Sequence, residues 1–377
     1  MPPGPTPAPP SSGRLAALDL FRGATVAGMV FVNNPGDWGH VARPFGHAEW
    51  HGWTPTDLVF PFFLFVVGTS GVLSLGKRAA SGATRADLLR HVLVRGGTIV
   101  LIGWLMAWYP FGWERLARLR IPGVLPRIGV VYALGTALVL LLGERRRAPK
   151  VALAAAGLVA LHTALLSWPG FDLTREGNVA RAVDLALLEG HLWKKDWDPE
   201  GIVSTLPSIA TMLTGTLAGL VLRAPLPLRR RIALLAAAGA AGIGAGLVWA
   251  QTLPVNKNLW TGSYVVLSSG FAAAGLAVCL WGLDVRGWRS GTGFFVTFGK
   301  NPLLAFVLSG FLAKTLGLVK VTAASGKAVS LHQAIYRHGL GWIGDPYVAS
   351  HAFALATVGL WYAAMRVCEK RGWYWKV

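Results

Sequence analysis

Four ionisable side chains crowd one short stretch of the chain: His47, Glu49, His51 and Asp57, within HAEWHGWTPTD. An imidazole, with an ordinary pKa of about 6.5, can take a proton from an attacking group at neutral pH, or carry an acyl group on its own nitrogen. His47 and His51 stand four residues apart and share a face if the stretch is helical. Such a pair could begin a zinc site. A metal needs a third ligand and an ordered outer shell, however, and neither His40 nor Glu49 stands at a recognised spacing, so no metal is expected. Asp57 opens a long apolar run, where a carboxylate serves the free N–H groups of a helix start, so capping competes with any catalytic role. Asp19, Arg22, Asn33, Asn34, Arg127, Lys300 and Asn301 lie in or at the ends of other apolar runs. Polar groups at that depth are costly and usually face a bundle interior or a wet cavity. Asp19 and Arg22, three apart on one helical face, read as a structural ion pair.

The elements that must hold these residues are membrane helices. Of 377 residues, 53% are hydrophobic and only 14% charged, where soluble domains carry about a quarter charged residues. Apolar runs alternate with short basic clusters, the pattern of an all-α polytopic membrane protein. About ten runs are long enough to span, near 15–33, 57–76, 92–109, 122–143, 150–168, 204–222, 231–252, 263–283, 293–313 and 346–367. Lysines and an arginine break up 314–340 and leave it ambiguous. Segment 1–14 is Pro-rich and reads as a disordered tail rather than a signal peptide, and 15–377 as a single transmembrane domain.

The net charge of +19 comes from clusters between spans, which argues against nucleic acid as a partner. Cys279 and Cys368 have neither disulfide-framework nor zinc spacing. Basic clusters follow the second, fourth and sixth runs and close the chain with Arg366, Lys370, Arg371 and Lys376, so both termini are expected in the cytoplasm. Arg115, Arg118 and Arg120 dissent mildly. The loop carrying His47, with Trp38, Phe45, Trp50 and Trp53, then faces outside, as does the long, mixed-charge segment 169–203. No internal repeat and no paired broken helices point to a transporter.

The runs LDLFRGATVAGMVFVNNPG (18–36), HAEWHG (47–52) and TPTDLVFPFFLFVVG (54–68) resemble the opening of the heparan-α-glucosaminide N-acetyltransferase family. RIPGVLPRIGVVYA (120–133), DPEGIVSTLPSIATMLTGTLAG (198–219), NKNLWTGSYVVLSSG (256–270) and FGKNPLLAFVLSG (298–310) resemble it further, in the same order. Together the motifs cover nearly all of the chain after residue 14.

The resemblance implies an integral membrane enzyme that takes acetyl from cytoplasmic acetyl-CoA and delivers it to the amine of a glucosamine-type sugar on the other side. It also implies an active-site histidine at His47, with Asn33 as the nearby asparagine, and a possible homodimer. Asp57, His51, Trp50, Lys257 and Asn258 are then candidates for holding the acceptor. Arg78, Arg95, Arg127, Lys300 and Asn301 are candidates for acetyl-CoA, although topology alone also accounts for basic residues at span ends. Set beside animal members of the family, the chain is expected to lack their large luminal N-terminal region and its extra helix. This points to a bacterial relative in the cell membrane, acting on free glucosamine or a cell-wall- or chitin-derived sugar. Direct transfer and an acetyl-histidine intermediate stay open, as do a sugar transporter or flippase and an envelope polysaccharide O-acetyltransferase.

Overall fold

The computed structural model describes residues 15–168, 170–322 and 326–375. The Pro-rich segment 1–14, expected to be a disordered tail, lies outside the described residues, as does Lys376. Helices α1 (Ala16–Val32), α2 (Val59–Ala80) and α3 (Arg85–Trp108) lead to a short α4 (Trp113–Ala117). They are followed by α5 (Val124–Leu142), α6 (Arg147–Leu166), α7 (Val179–Leu188), α8 (Thr205–Arg223) and α9 (Leu228–Trp249). Then come α10 (Gly262–Leu280), α11 (Thr292–Lys300), α12 (Pro302–Leu318), α13 (Leu331–Leu340) and α14 (Pro346–Lys370). A small antiparallel hairpin, β1 (Lys320–Thr322) and β2 (Ala328–Ser330), precedes α13. The stretch 314–340, ambiguous in sequence, is thus the end of α12, the hairpin and α13.

The class is all-α and polytopic. Among the described residues, eight helices are long and apolar enough to cross a membrane, or nine if α11 and α12 count as one bent span. Every run read from the sequence is helical. The first, α1, has 17 residues, roughly 25 Å of helix against about 30 Å of hydrocarbon. The expected single span over 293–313 is broken: α11 and α12 meet at 85°. Pro302 supplies no N–H and disfavours helix in the residue before it, and Asn301 sits at φ −137°, ψ 50°. The Asn301 side chain donates to the Trp373 carbonyl at 2.7 Å and accepts from the Trp375 amide at 2.9 Å, tying the break to the chain's end.

Apolar burial and small residues hold the bundle together. Leu64, Met212, Leu213, Trp260, Tyr264 and Leu267 form part of its central core. α2 and α8 touch backbone to backbone. A Cβ on Gly68 would lie 2.0 Å from the Met212 carbonyl, and one on Gly215 1.9 Å from that of Phe65, so neither position admits a side chain. On the outside, α9 exposes Leu234, Leu247 and Val248, as a lipid-facing helix should.

The pairing of Asp19 with Arg22 is observed at 2.7 Å; Arg22 also donates to the Gly299 carbonyl at 3.1 Å and to Ser70 Oγ at 2.6 Å. One end of the bundle carries the tight basic turns around 81–84, 143–146, 224–227 and 286–291. The other end carries the long loops around 33–58, 109–123, 167–204 and 250–261.

Candidate active site

Two backbone devices fix the loop that leads into α2. Ser350 of α14 accepts from the amide of Gly36 through its carbonyl and from that of Asp37 through its hydroxyl, at 3.1 and 3.0 Å. Gly52, at φ 95°, occupies the left-handed region and donates to the Val255 carbonyl at 2.7 Å. A tight turn over Pro55–Leu58 then carries a capping box, in which the Thr54 amide donates to Asp57 Oδ2 at 3.0 Å.

Asp57 therefore does cap its helix, but with only one of its two oxygens. Oδ2 also accepts from the Ala48 amide at 3.0 Å, while Oδ1 lies 2.7 Å from His47 Nδ1. The carboxylate can only accept, so Nδ1 carries the ring hydrogen and Nε2 carries the lone pair. The Asp57 side chain is 1% exposed, whereas that of His47 is 52% exposed. A buried carboxylate thus orients a reachable imidazole.

A third group arrives from the far end of the sequence. In the loop before α10, Asn256 Oδ1 accepts from the Leu259 amide at 2.8 Å, and Thr261 Oγ1 accepts from the Asn256 amide at 3.0 Å. That turn sets Lys257 Nζ 3.0 Å from His47 Nδ1, 3.4 Å from Nε2 and 3.4 Å from Asp57 Oδ1. Burial pulls the Lys257 ammonium below its usual pKa, while Asp57 and Glu200 act against that pull.

These groups stand in a cavity of about 700 Å³. Asn33, Trp50, Asp57, His47, Lys257 and Asn258 line it, with Glu49, Arg120, Arg175, Lys194 and Glu200 around them. The cavity continues between α1, α2, α5 and α12 along apolar walls that include Met29, Phe60, Phe63, Ile128, Leu303 and Phe306. On one side it is closed by a clamp. Arg120 Nε and Nη2 donate to the two oxygens of Asp198 at 2.7 and 2.6 Å, and Nη2 also reaches Glu200 at 2.5 Å. Asp198 accepts from the amides of Trp193 and Glu200 as well, at 2.7 and 2.9 Å, so the segment 189–203 is pinned as a wall. Nothing in the sequence pairs Arg120 with residues nearly eighty positions away, and sequence reasoning missed this clamp.

The remaining expected residues lie elsewhere. His51 is outside the cavity lining, with Nδ1 3.3 Å from Asn256 Nδ2. Arg127 is buried in α5, donating to the Gly201 carbonyl at 2.9 Å and to Ser204 Oγ at 2.5 Å, so it braces the wall from behind rather than reaching into the cavity. Lys300 pairs with Glu369 of α14, and Asn301 holds the chain's closing segment. Arg78 and Arg95 sit at the opposite, basic end, Arg78 exposed and Arg95 over the Tyr132 ring at 5.2 Å. The residues proposed for one cofactor are thus dispersed because most already satisfy neighbouring backbone or carboxylate groups. Among the described residues, no group of three or more His, Cys, Asp or Glu has metal-holding geometry, and His40 pairs with Asp37 at 2.7 Å instead.

Comparison with known proteins bears on what such a site does. The family model "Heparan-alpha-glucosaminide N-acetyltransferase, catalytic" matches residues 14–252. The heparan-alpha-glucosaminide N-acetyltransferase of Homo sapiens is 30% identical over 357 residues, covering 78% of this chain and 52% of the human protein. That of Mus musculus is 30% identical over 360 residues, covering 79% of this chain and 53% of the mouse protein. The chain therefore spans about half the length of the curated relatives it matches.

Proposed function

Because the chain belongs to the heparan-alpha-glucosaminide N-acetyltransferase family, we propose that it is a transmembrane N-acetyltransferase using acetyl-CoA as donor and a glucosamine-type amine as acceptor. The observation that carries this reading is the half-exposed His47, oriented by buried Asp57, at the mouth of a cavity that continues between membrane helices. An amine attacks a thioester only as the free base. Nε2 of His47 takes the proton that the nitrogen sheds as its bond to the acyl carbon forms. The carbon–sulfur bond then breaks, and the imidazolium returns that proton to the departing thiolate. Charge gathering on the acyl oxygen in between is met by an amide N–H, for which Asn33 on the cavity wall is the candidate. The same nitrogen could instead hold the acetyl group for a second step.

In this reading the basic end is cytoplasmic and receives the phosphates of CoA, with exposed Arg78 the first candidate to meet them. The loop end faces the acceptor, with Trp50 and Asn258 beside it. The setting is a bacterial cell membrane, with lipid against the outer helices, and the protein forms a homodimer as its family suggests. Transport of a sugar draws on one observation, the 85° break between α11 and α12, and O-acetylation differs only in the acceptor. The discriminating experiment offers the purified protein in detergent radiolabelled acetyl-CoA with glucosamine, glucosaminides and hydroxyl acceptors. Label moving to an amine is the expected result. Label moving only to hydroxyls would replace the reading with O-acetylation, and label moving to none would remove it.

A further inference from the structure

We propose that Lys257 is a positioning residue for the proton chemistry of His47: its ammonium, set against both ring nitrogens and against Asp57, opposes a second positive charge on the imidazole. The inference builds on the base role given to His47 above and adds a residue to it. Asp57 Oδ1 holds Nδ1–H at 2.7 Å, so a second proton on the ring would enter at Nε2. A carboxylate that close favours positive charge on the ring. Lys257 Nζ lies 3.4 Å from Nε2 and 3.0 Å from Nδ1, where a second positive charge is opposed directly. It also lies 3.4 Å from Asp57 Oδ1, sharing the charge that would otherwise act on the ring alone.

The position of Lys257 is built rather than incidental. Its side chain is 16% exposed, and the turn around Asn256 fixes its backbone. The charges that reach Lys257 are Asp57 and Glu200, which favour its ammonium, and Arg127, which opposes it. Asp57 on its own loop and Lys257 before α10 face His47, and Glu49 lines the same cavity. Arg120, Arg175, Lys194 and Glu200 stand further round the cavity. Among the described residues, Lys257 is the cation set against the ring.

The test reads the protonation of His47 without turnover. The rate of carbethoxylation by diethyl pyrocarbonate is followed against pH in the full chain in detergent, and the rate in His47→Gln is subtracted. Lys257→Met should move the midpoint of that curve upward by about one pH unit, leaving the ring roughly tenfold less reactive well below it. Lys257→Arg, which keeps the cation, should restore the wild-type midpoint. Coincident midpoints for wild type and Lys257→Met, or an Arg variant that behaves like Met, would overturn the proposal. If Lys257→Met does not fold, Lys257→Gln carries the same comparison. Because carbethoxylation needs no acetyl transfer, a protein that transfers nothing still answers the question about Lys257.

Discussion

Arg120, Asp198 and Glu200 form one wall of the cavity, and His47, Asp57 and Lys257 another. Both are clusters of carboxylate and cation around a fully buried aspartate. The Asp198 side chain is 0% exposed and that of Asp57 is 1% exposed. In the first cluster a bidentate guanidinium and two backbone amides satisfy the buried carboxylate, and Arg120 commits its fork to it. In the second, Asp57 gives one oxygen to its helix start and the other to an imidazole whose remaining nitrogen stays reachable. Similar ingredients thus make a clamp in one place and an oriented base in the other. The difference lies in whether the buried carboxylate meets a guanidinium or an imidazole.

Substitutions should separate the two. After loss of His47 itself, the largest effect is expected from Asp57→Asn. An asparagine keeps an oxygen for the cap but turns its NH₂ toward His47 Nδ1, which reverses the tautomer and removes the lone pair from Nε2. Transfer should fall by about 100-fold or more in kcat with little loss of melting temperature. Asp57→Ala should lose both. Equal melting losses for the two variants would break the distinction between the two oxygens. Asn33→Ala should cost about 100-fold in kcat if its amide meets the acyl oxygen, measured at saturating acceptor, and a change in KM alone would assign it to binding. Arg120→Ala should be read first in stability. Leaving Asp198 and Glu200 without their guanidinium should destabilise the protein by about 3 kcal/mol, seen as a fall in thermal melting in detergent.

An effect that shows only as pH changes concerns Asp184, behind the clamp wall. Burial raises its carboxyl to about 6, although the Ile202 amide donates to it at 2.8 Å. The folded chain thus holds this proton more tightly than the unfolded chain does. Its contribution to stability is best below the ordinary carboxylate range and is lost as pH rises through about 6. Above that the cost of ionisation is about 3 kcal/mol. Melting temperature should drop from pH 5 to pH 7 in the wild type and change less in Asp184→Asn. Parallel curves would contradict the assignment.

The spans were legible because about 20 apolar residues in helix leave little else to be. The break at Asn301 was passed over because apolar sequence continues on both sides of it, although Lys300-Asn301-Pro302 held the signal in its proline. At the site, His47 and Asp57 were readable as neighbours ten residues apart. Choosing between capping and catalysis for Asp57 was not, since a carboxylate has two oxygens and the sequence does not show where each points. Lys257 meets His47 across 210 residues, and only the packing of α10 against the rest of the bundle brings them together. Arg127 and Lys300 were drawn toward a cofactor because ionisable groups at membrane depth suggest function. In the fold Arg127 donates to the Gly201 carbonyl and Ser204 Oγ, and Lys300 pairs with Glu369.

The central claim is that an acyl group passes to an amine under the control of His47. Its most direct measurement is the transfer rate of His47→Ala beside wild type, with radiolabelled acetyl-CoA and the best amine acceptor, in preparations of matched melting temperature. A loss of about 1,000-fold is expected, since truncation removes the base and leaves its buried partner in place. A variant that transfers at the wild-type rate would contradict it.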